Sequence, residues 1–379
     1  MKKKRNNILW VVGIFYLIYI FLFLSKFQFN PSATIELSAN HVTKYNAPLP
    51  PNLVVEINRD GYDGQFYYMI AADPWHKHIA VTTNWYQRIL YPTLAHILSL
   101  GNKALIPIIL LLINFVSIIL GTYVLLLLLE KYKANLNLAY IFAFNVGILI
   151  AIIRDLPEPL LCLFIVLTIY YMEKKEDGIA IIYLAAALLT KEIAILFAAA
   201  LLFYLLLKRE FKRFLIYLGP LLLYSFWLLS LFLRFDKIAL MESIERGGIP
   251  FLGIAQYFLW LKFPNDLNEL YTYYSALPVL IFVVIQCVLV FKQKAKYHSY
   301  YWLSLTLQIL FLISLTKHAY TELIDGLGRQ AVILFLFSIL FHVENNQQYN
   351  RWLLWLMILM STGYFITKII IFKPQYFIT

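Results

Sequence analysis

Apolar residues in this chain do not alternate with polar ones; they run. Long uninterrupted apolar stretches recur almost from end to end, separated by short charged segments. A backbone inside lipid must satisfy its hydrogen bonds within its own helix, so runs near bilayer length predict membrane-spanning helices. Eleven are predicted, near residues 8–24, 104–129, 135–153, 159–172, 178–190, 193–207, 211–233, 271–291, 298–316, 330–343 and 352–372. The expected fold is an all-α polytopic membrane bundle, a single domain over 1–379, without a linker, low-complexity tract or fixed-period repeat. Two larger loops interrupt it, 25–103 and 234–270, the first long enough for interfacial helices. The segment 89–100 is read as an interfacial or re-entrant helix, since another span there would invert every later loop.

Composition agrees with the pattern: 61% of residues are hydrophobic and 14% charged, far from the balance of a soluble domain. The net charge of +11 points to topology rather than to nucleic acid, because the basic residues sit in small groups between spans. Lys2 to Arg5, Lys131/Lys133, Lys174/Lys175, Lys208/Arg209/Lys212/Arg213 and Lys292/Lys294/Lys296 fall on one side of the eleven-span arrangement. Positively charged loops are retained in the cytoplasm, which puts the N-terminus inside and both large loops outside. The opening M-K-K-K-R-N-N and the apolar run Ile8–Leu24 are read as an uncleaved anchor. Cys162 and Cys287 lie far apart in apolar stretches, so no disulfide is expected.

The outer side then collects Asp60, Asp63, Asp73, Arg88, Arg154, Asp155, Glu158, Lys191, Glu192, Arg246, Asp325 and Arg329. The densest stretch is R-D-G-Y-D-G-Q-F-Y-Y-M-I-A-A-D-P-W, Arg59 to Trp75, where Gly61 and Gly64 permit tight turns beside Asp60 and Asp63. A carboxylate held there can accept a proton from a hydroxyl; a lone Asp in a loop is more often a helix cap. Gln65 and, in W-Y-Q-R-I-L-Y-P, Tyr91 are candidate substrate contacts, and Arg88 offers a planar fork to phosphate or serves as an interfacial anchor. R-D-L-P-E-P presents Arg154, Asp155 and Glu158 on a proline-broken turn. In L-L-T-K-E-I-A, Lys191 and Glu192 interrupt an apolar run, which is costly unless they pair or face a polar cavity. Arg246 and Arg329 sit in glycine-bearing turns, as candidate anion contacts or plain loops. No H-E-x-x-H, P-loop or nucleophile elbow occurs, which argues against a zinc hydrolase, an ATPase of that kind or an α/β hydrolase. No spacing requires a cofactor; a divalent cation near the acidic cluster is left open.

R-D-G-Y-D-G-Q-F-Y-Y-M-I-A-A-D-P, followed by Y-Q-R-I-L-Y-P, R-D-L-P-E-P and L-L-T-K-E in that order, resembles the GT-C superfamily of integral-membrane glycosyltransferases. The resemblance is to bacterial members and, more distantly, to the GPI-anchor mannosyltransferases. It implies an inverting transfer of a sugar, mannose or another hexose, from a polyprenyl-phosphate donor to a glycan, lipid or protein acceptor outside a bacterial cytoplasmic membrane. It also implies an acidic base in the first outer loop, Asp60 as first choice with Asp63 beside it, and phosphate contacts among Arg88, Lys191, Arg246 and Arg329. The chain departs from the pattern in having no large soluble C-terminal domain. A polytopic transporter or lipid flippase using intramembrane charges is the competing expectation, although no pair of symmetric halves is present.

Overall fold

A computed structural model describes residues 2–45, 50–57, 60–75, 81, 83–239, 247–265, 269, 273–292, 299–321, 323–345 and 351–379. The architecture is nearly all helical. Among the described residues three helices are long and apolar enough to cross a membrane: α1 with its following turn, Lys2–Phe27, then Ile106–Lys131 and Phe211–Phe235. Shorter apolar helices fill the bundle, among them Asp177–Thr190, Ala194–Leu207, Leu277–Lys292, Tyr300–Ile313 and Val332–Glu344. At 1.5 Å per residue a fourteen-residue helix covers roughly 21 Å, less than the roughly 30 Å hydrocarbon core.

In chain order the helices are α1 (Lys2–Leu24), α2 (Ala39–Tyr45), α3 (Gly64–Ala72), α4 (Thr83–Tyr86), α5 (Leu90–Leu98) and α6 (Ile106–Lys131). Then come α7 (Ala139–Ala143), α8 (Val146–Ile152), α9 (Glu158–Glu173), α10 (Asp177–Thr190), α11 (Ala194–Leu207) and α12 (Phe211–Phe235). The rest are α13 (Leu252–Trp260), α14 (Leu277–Lys292), α15 (Tyr300–Ile313), α16 (Lys317–Thr321), α17 (Leu323–Gln330), α18 (Val332–Glu344) and α19 (Arg351–Ile366). At nine residues α5 is too short to cross a bilayer.

Two expectations need correcting. The stretch 135–153 is not one helix: it breaks at Phe144–Asn145, where the Asn145 side chain accepts from the Ile148 amide at 3.0 Å and caps α8. Gly147 lets α8 lie directly on α17, since a β-carbon there would stand 2.6 Å from the Gly328 carbonyl. Nor is the chain purely α. A small sheet forms in the first loop from β1 (Leu37–Ser38), β2 (Val54–Glu56) and β3 (Tyr376–Ile378). β1 runs parallel to β2, and β3 pairs antiparallel with it in the register Val55↔Phe377. Thr379 adds bonds to Asn52 and Leu53, so the last residues of the chain clasp the loop that follows α1.

The elements meet at two ends of opposite character. At one, the start of α1 joins the end of α6 through Arg5–Glu130 (2.9 Å), and α6 joins the end of α9 through Lys131–Glu173 (2.6 Å). There too α10 begins beside α12 through Asp177–Arg213 (2.8 Å). At the other lie the first loop, the α8–α9 turn, the α10–α11 turn and α17.

Candidate functional site

The site grows from two close backbone approaches. Gly64 opens α3 against the α8–α9 turn so tightly that a β-carbon would sit 2.3 Å from the Arg154 carbonyl. Gly61 adopts a positive φ of 69°, and a β-carbon there would stand 2.4 Å from the Glu36 carbonyl. Between these glycines the loop presents Tyr62 and Asp63. Gln65 braces the turn, accepting from the Ser38 amide at 3.2 Å and donating to the Asp60 carbonyl at 3.1 Å.

Arg329, on α17, is the junction. Its Nη1 donates to Asp63 Oδ2 at 2.8 Å and to the Tyr62 hydroxyl at 3.0 Å, while its Nε donates to Glu158 Oε1 at 2.8 Å. Lys191 Nζ donates to that same Glu158 oxygen at 2.6 Å. Glu158 opens α9, where a carboxylate complements the helix dipole, and Pro159 after it needs no amide partner. Lys191 ends α10 in extended conformation, so the short helix delivers an ammonium into the interior. Burial pushes the Lys191 ammonium below its usual range, and the negative Glu158 opposes that shift.

Arg88 and Glu192 form a second unit, a two-pronged pair at 2.7 and 2.5 Å with the Tyr67 hydroxyl 3.0 Å from Arg88 Nη1. Burial disfavours charge on Glu192, yet the Arg88 guanidinium outweighs it and holds the carboxyl at about 2. A third unit gathers Arg154, which meets Glu36 at 3.2 Å and Asp325 at 2.9 Å, with Lys368 3.8 Å from Glu36. Tyr62 joins this unit to the first: its ring lies 3.8 Å from the Arg154 guanidinium carbon and 5.1 Å from that of Arg329. Burial pushes the Tyr62 hydroxyl up to about 12 against the pull of both arginines.

Asp155 stands apart from the cations. It is fully buried, takes a positive φ of 46° and meets the Thr34 hydroxyl at 2.6 Å. Burial raises its carboxyl well above the usual range. Thr34 also lies 2.7 Å from the Pro31 carbonyl; with Asp155 protonated, the carboxyl donates to the Thr34 oxygen and the hydroxyl's one proton goes to Pro31. Among the described residues, several buried atoms have no hydrogen-bond partner: Glu158 Oε2, Asp155 Oδ1, Asp325 Oδ1 and Arg154 Nη1. Each costs roughly 1–3 kcal/mol in an array serving stability alone.

The structure thus brings Asp63, Glu158, Lys191 and Arg329 into direct contact, with Arg88–Glu192 and Arg154 close by. Asp60 is exposed, its carboxylate 3.4 Å from the Asn40 amide, and no cation is paired with it among the described residues. Tyr91 is wholly buried between α5 and α6, donating to the Leu110 carbonyl and accepting from Asn114, which is a packing role. Arg246 lies outside the described residues. Sequence reasoning missed Glu36, Tyr62 and Lys368; the signal for Lys368 was an ammonium inside an apolar run. Among the described residues no three His, Cys, Asp or Glu side chains gather to hold a metal ion. An apolar cavity of about 500 Å³, lined by Phe15, Tyr140, Phe144, Leu149, Met357 and Phe365 among others, shares no lining residue with this array. Compared with protein-family models, curated proteins and solved structures, the chain has no significant match.

Proposed function

We propose that the protein is a membrane glycosyltransferase that moves a hexose, such as mannose, from a polyprenyl-phosphate donor to a hydroxyl acceptor on the outer side of a bacterial cytoplasmic membrane. The observation that carries this reading is Asp63. Its side chain keeps 21% of its surface open, at the rim of an otherwise buried array in which two cations, Arg329 and Lys191, converge on one oxygen. A proton acceptor beside paired cations suits displacement of a phosphate by an alcohol. Asp63 takes the acceptor's hydroxyl proton as that oxygen bonds the anomeric carbon. The carbon–oxygen bond to phosphate breaks, and the phosphate leaves with the electron pair beside Lys191 and Arg329. One displacement inverts the anomeric centre. A base of this kind contributes about 10²–10⁴-fold, and cations placed where charge develops add several kcal/mol.

Asp63 is better supported as base than Asp60, which meets none of these cations in the described array. The eleven-crossing arrangement belongs to the same proposal. Its support is parity: the chain ends beside the loop that follows α1, as an odd number of crossings requires. The basic loops gather at the opposite end, the cytoplasmic one under this reading.

The test is hexose transfer from a defined polyprenyl-phosphate donor by protein in nanodiscs. Asp63→Asn lowers turnover by about 100-fold or more while Asp60→Asn stays within about 10-fold of the parent. Undiminished transfer by Asp63→Asn overturns the assignment. Movement of the lipid-linked sugar across vesicles without a new glycosidic bond would favour the flippase instead.

A further inference from the structure

An aspartate paired with arginine is ordinarily a poor proton acceptor, because the guanidinium stabilises the carboxylate. Arg329 does not belong to Asp63 alone. Its Nε goes to Glu158 and its Nη1 is split between Asp63 and Tyr62. Tyr62 in turn faces Arg154, and Glu158 faces Lys191, which lies within electrostatic range of Arg88 and Glu192. Glu158 is wholly buried, and its second oxygen has no hydrogen-bond partner among the described residues. Both cations therefore crowd one oxygen of a carboxylate that solvent does not reach.

We propose that Glu158 is a positioning residue that divides Arg329 between two carboxylates, fixing the guanidinium beside the phosphate's exit while leaving Asp63 able to accept a proton. The inference rests on Asp63 being the base. Without the negative charge of Glu158, Lys191 and Arg329 repel, and Arg329 turns fully to Asp63, its other anionic partner. Glu158 touches no reacting atom; it acts through Arg329.

Two measurements test this, one of them independent of turnover. In the transfer assay Glu158→Gln lowers kcat by about 10-fold or more without raising KM for the donor, because the cations remain. Glu158→Asp, which keeps the charge, recovers part of that loss. Separately, carbodiimide-driven amine coupling, which attacks protonated carboxyls, is counted at Asp63 by peptide mass spectrometry with no substrate present. Coupling at Asp63 slows about 3-fold or more in Glu158→Gln, while coupling at Asp60 is unchanged. Should Glu158→Gln fail to fold, the Lys191→Gln variant serves: it leaves Glu158 wholly to Arg329, and coupling at Asp63 rises. A higher KM with unchanged kcat, or coupling at Asp63 that no variant alters, overturns the inference. A parent protein that transfers no sugar yet shows the coupling shift defeats the functional reading and leaves the partition of Arg329 standing.

Discussion

The two ends of the bundle carry similar kinds of charge and use them differently. At the end where α1 begins, ion pairs such as Lys131–Glu173 and Arg213–Asp177 are open to solvent, with the Lys131 side chain 48% exposed. At the other end Lys191 and Glu158 are 1% and 0% exposed, and Arg154 and Asp325 are 5% each. Exposed pairs gain little, because water screens them and two long side chains lose freedom. Buried pairs carry a desolvation cost that apolar packing would avoid. A buried cluster of this kind costs more than apolar packing of the same volume, so stability alone does not account for it.

The sharpest way to break this contrast is to remove one charge from each end. Lys191→Met leaves Glu158 buried with Arg329 alone, and is expected to destabilise the protein by about 3 kcal/mol or more in thermal unfolding. Gly64→Ala probes the backbone that carries Asp63: its β-carbon meets the Arg154 carbonyl, an overpacking that costs about 1–3 kcal/mol and displaces the loop.

Asp155→Asn separates burial from ion pairing within the buried end. The folded carboxyl titrates above its unfolded value of about 3.9, so its contribution is fully present below that value. It is lost as pH rises through the folded value. Asn keeps a neutral donor for Thr34 and tolerates the left-handed turn, so the variant differs by roughly 1 kcal/mol or less near pH 4. Its melting temperature then falls less with rising pH than that of the parent. Last, Lys131→Gln at the open end changes stability by less than about 1 kcal/mol. Equal losses from Lys131→Gln and Lys191→Met would erase the distinction between the ends.

Much of the helical frame was legible, because helices are written locally. The expected 178–190 and 193–207 emerge as Asp177–Thr190 and Ala194–Leu207, separated by the charges Lys191–Glu192 that made the pattern readable. The break at Asn145 was hidden by the apolar residues on either side, although Asn before a helical run is a capping signal. The β2–β3 pairing joins segments at opposite ends of the chain, and two three-residue strands give too little alternation to announce themselves. At the site, Asp63, Glu158, Lys191 and Arg329 were legible singly, as charges interrupting apolar or glycine-bearing segments. That Asp63 meets Arg329, and that Arg329 and Lys191 both meet Glu158, depends on the packing of α17 against α8 and the α8–α9 turn, which no local pattern encodes. The preference for Asp60 followed the resemblance, which implies an aspartate soon after the first span; which aspartate faces the cations is set by packing that the sequence does not display.

The most direct measurement is photocrosslinking with a polyprenyl-phosphate probe carrying a diazirine next to the phosphate, with the modified peptides mapped by mass spectrometry. The account predicts adducts in peptides spanning 60–75, 154–160, 188–193 and 323–330, competed away by unlabelled donor. Adducts confined to the loops around Lys131, Lys174 and Lys208, or adducts that donor does not compete, would contradict it.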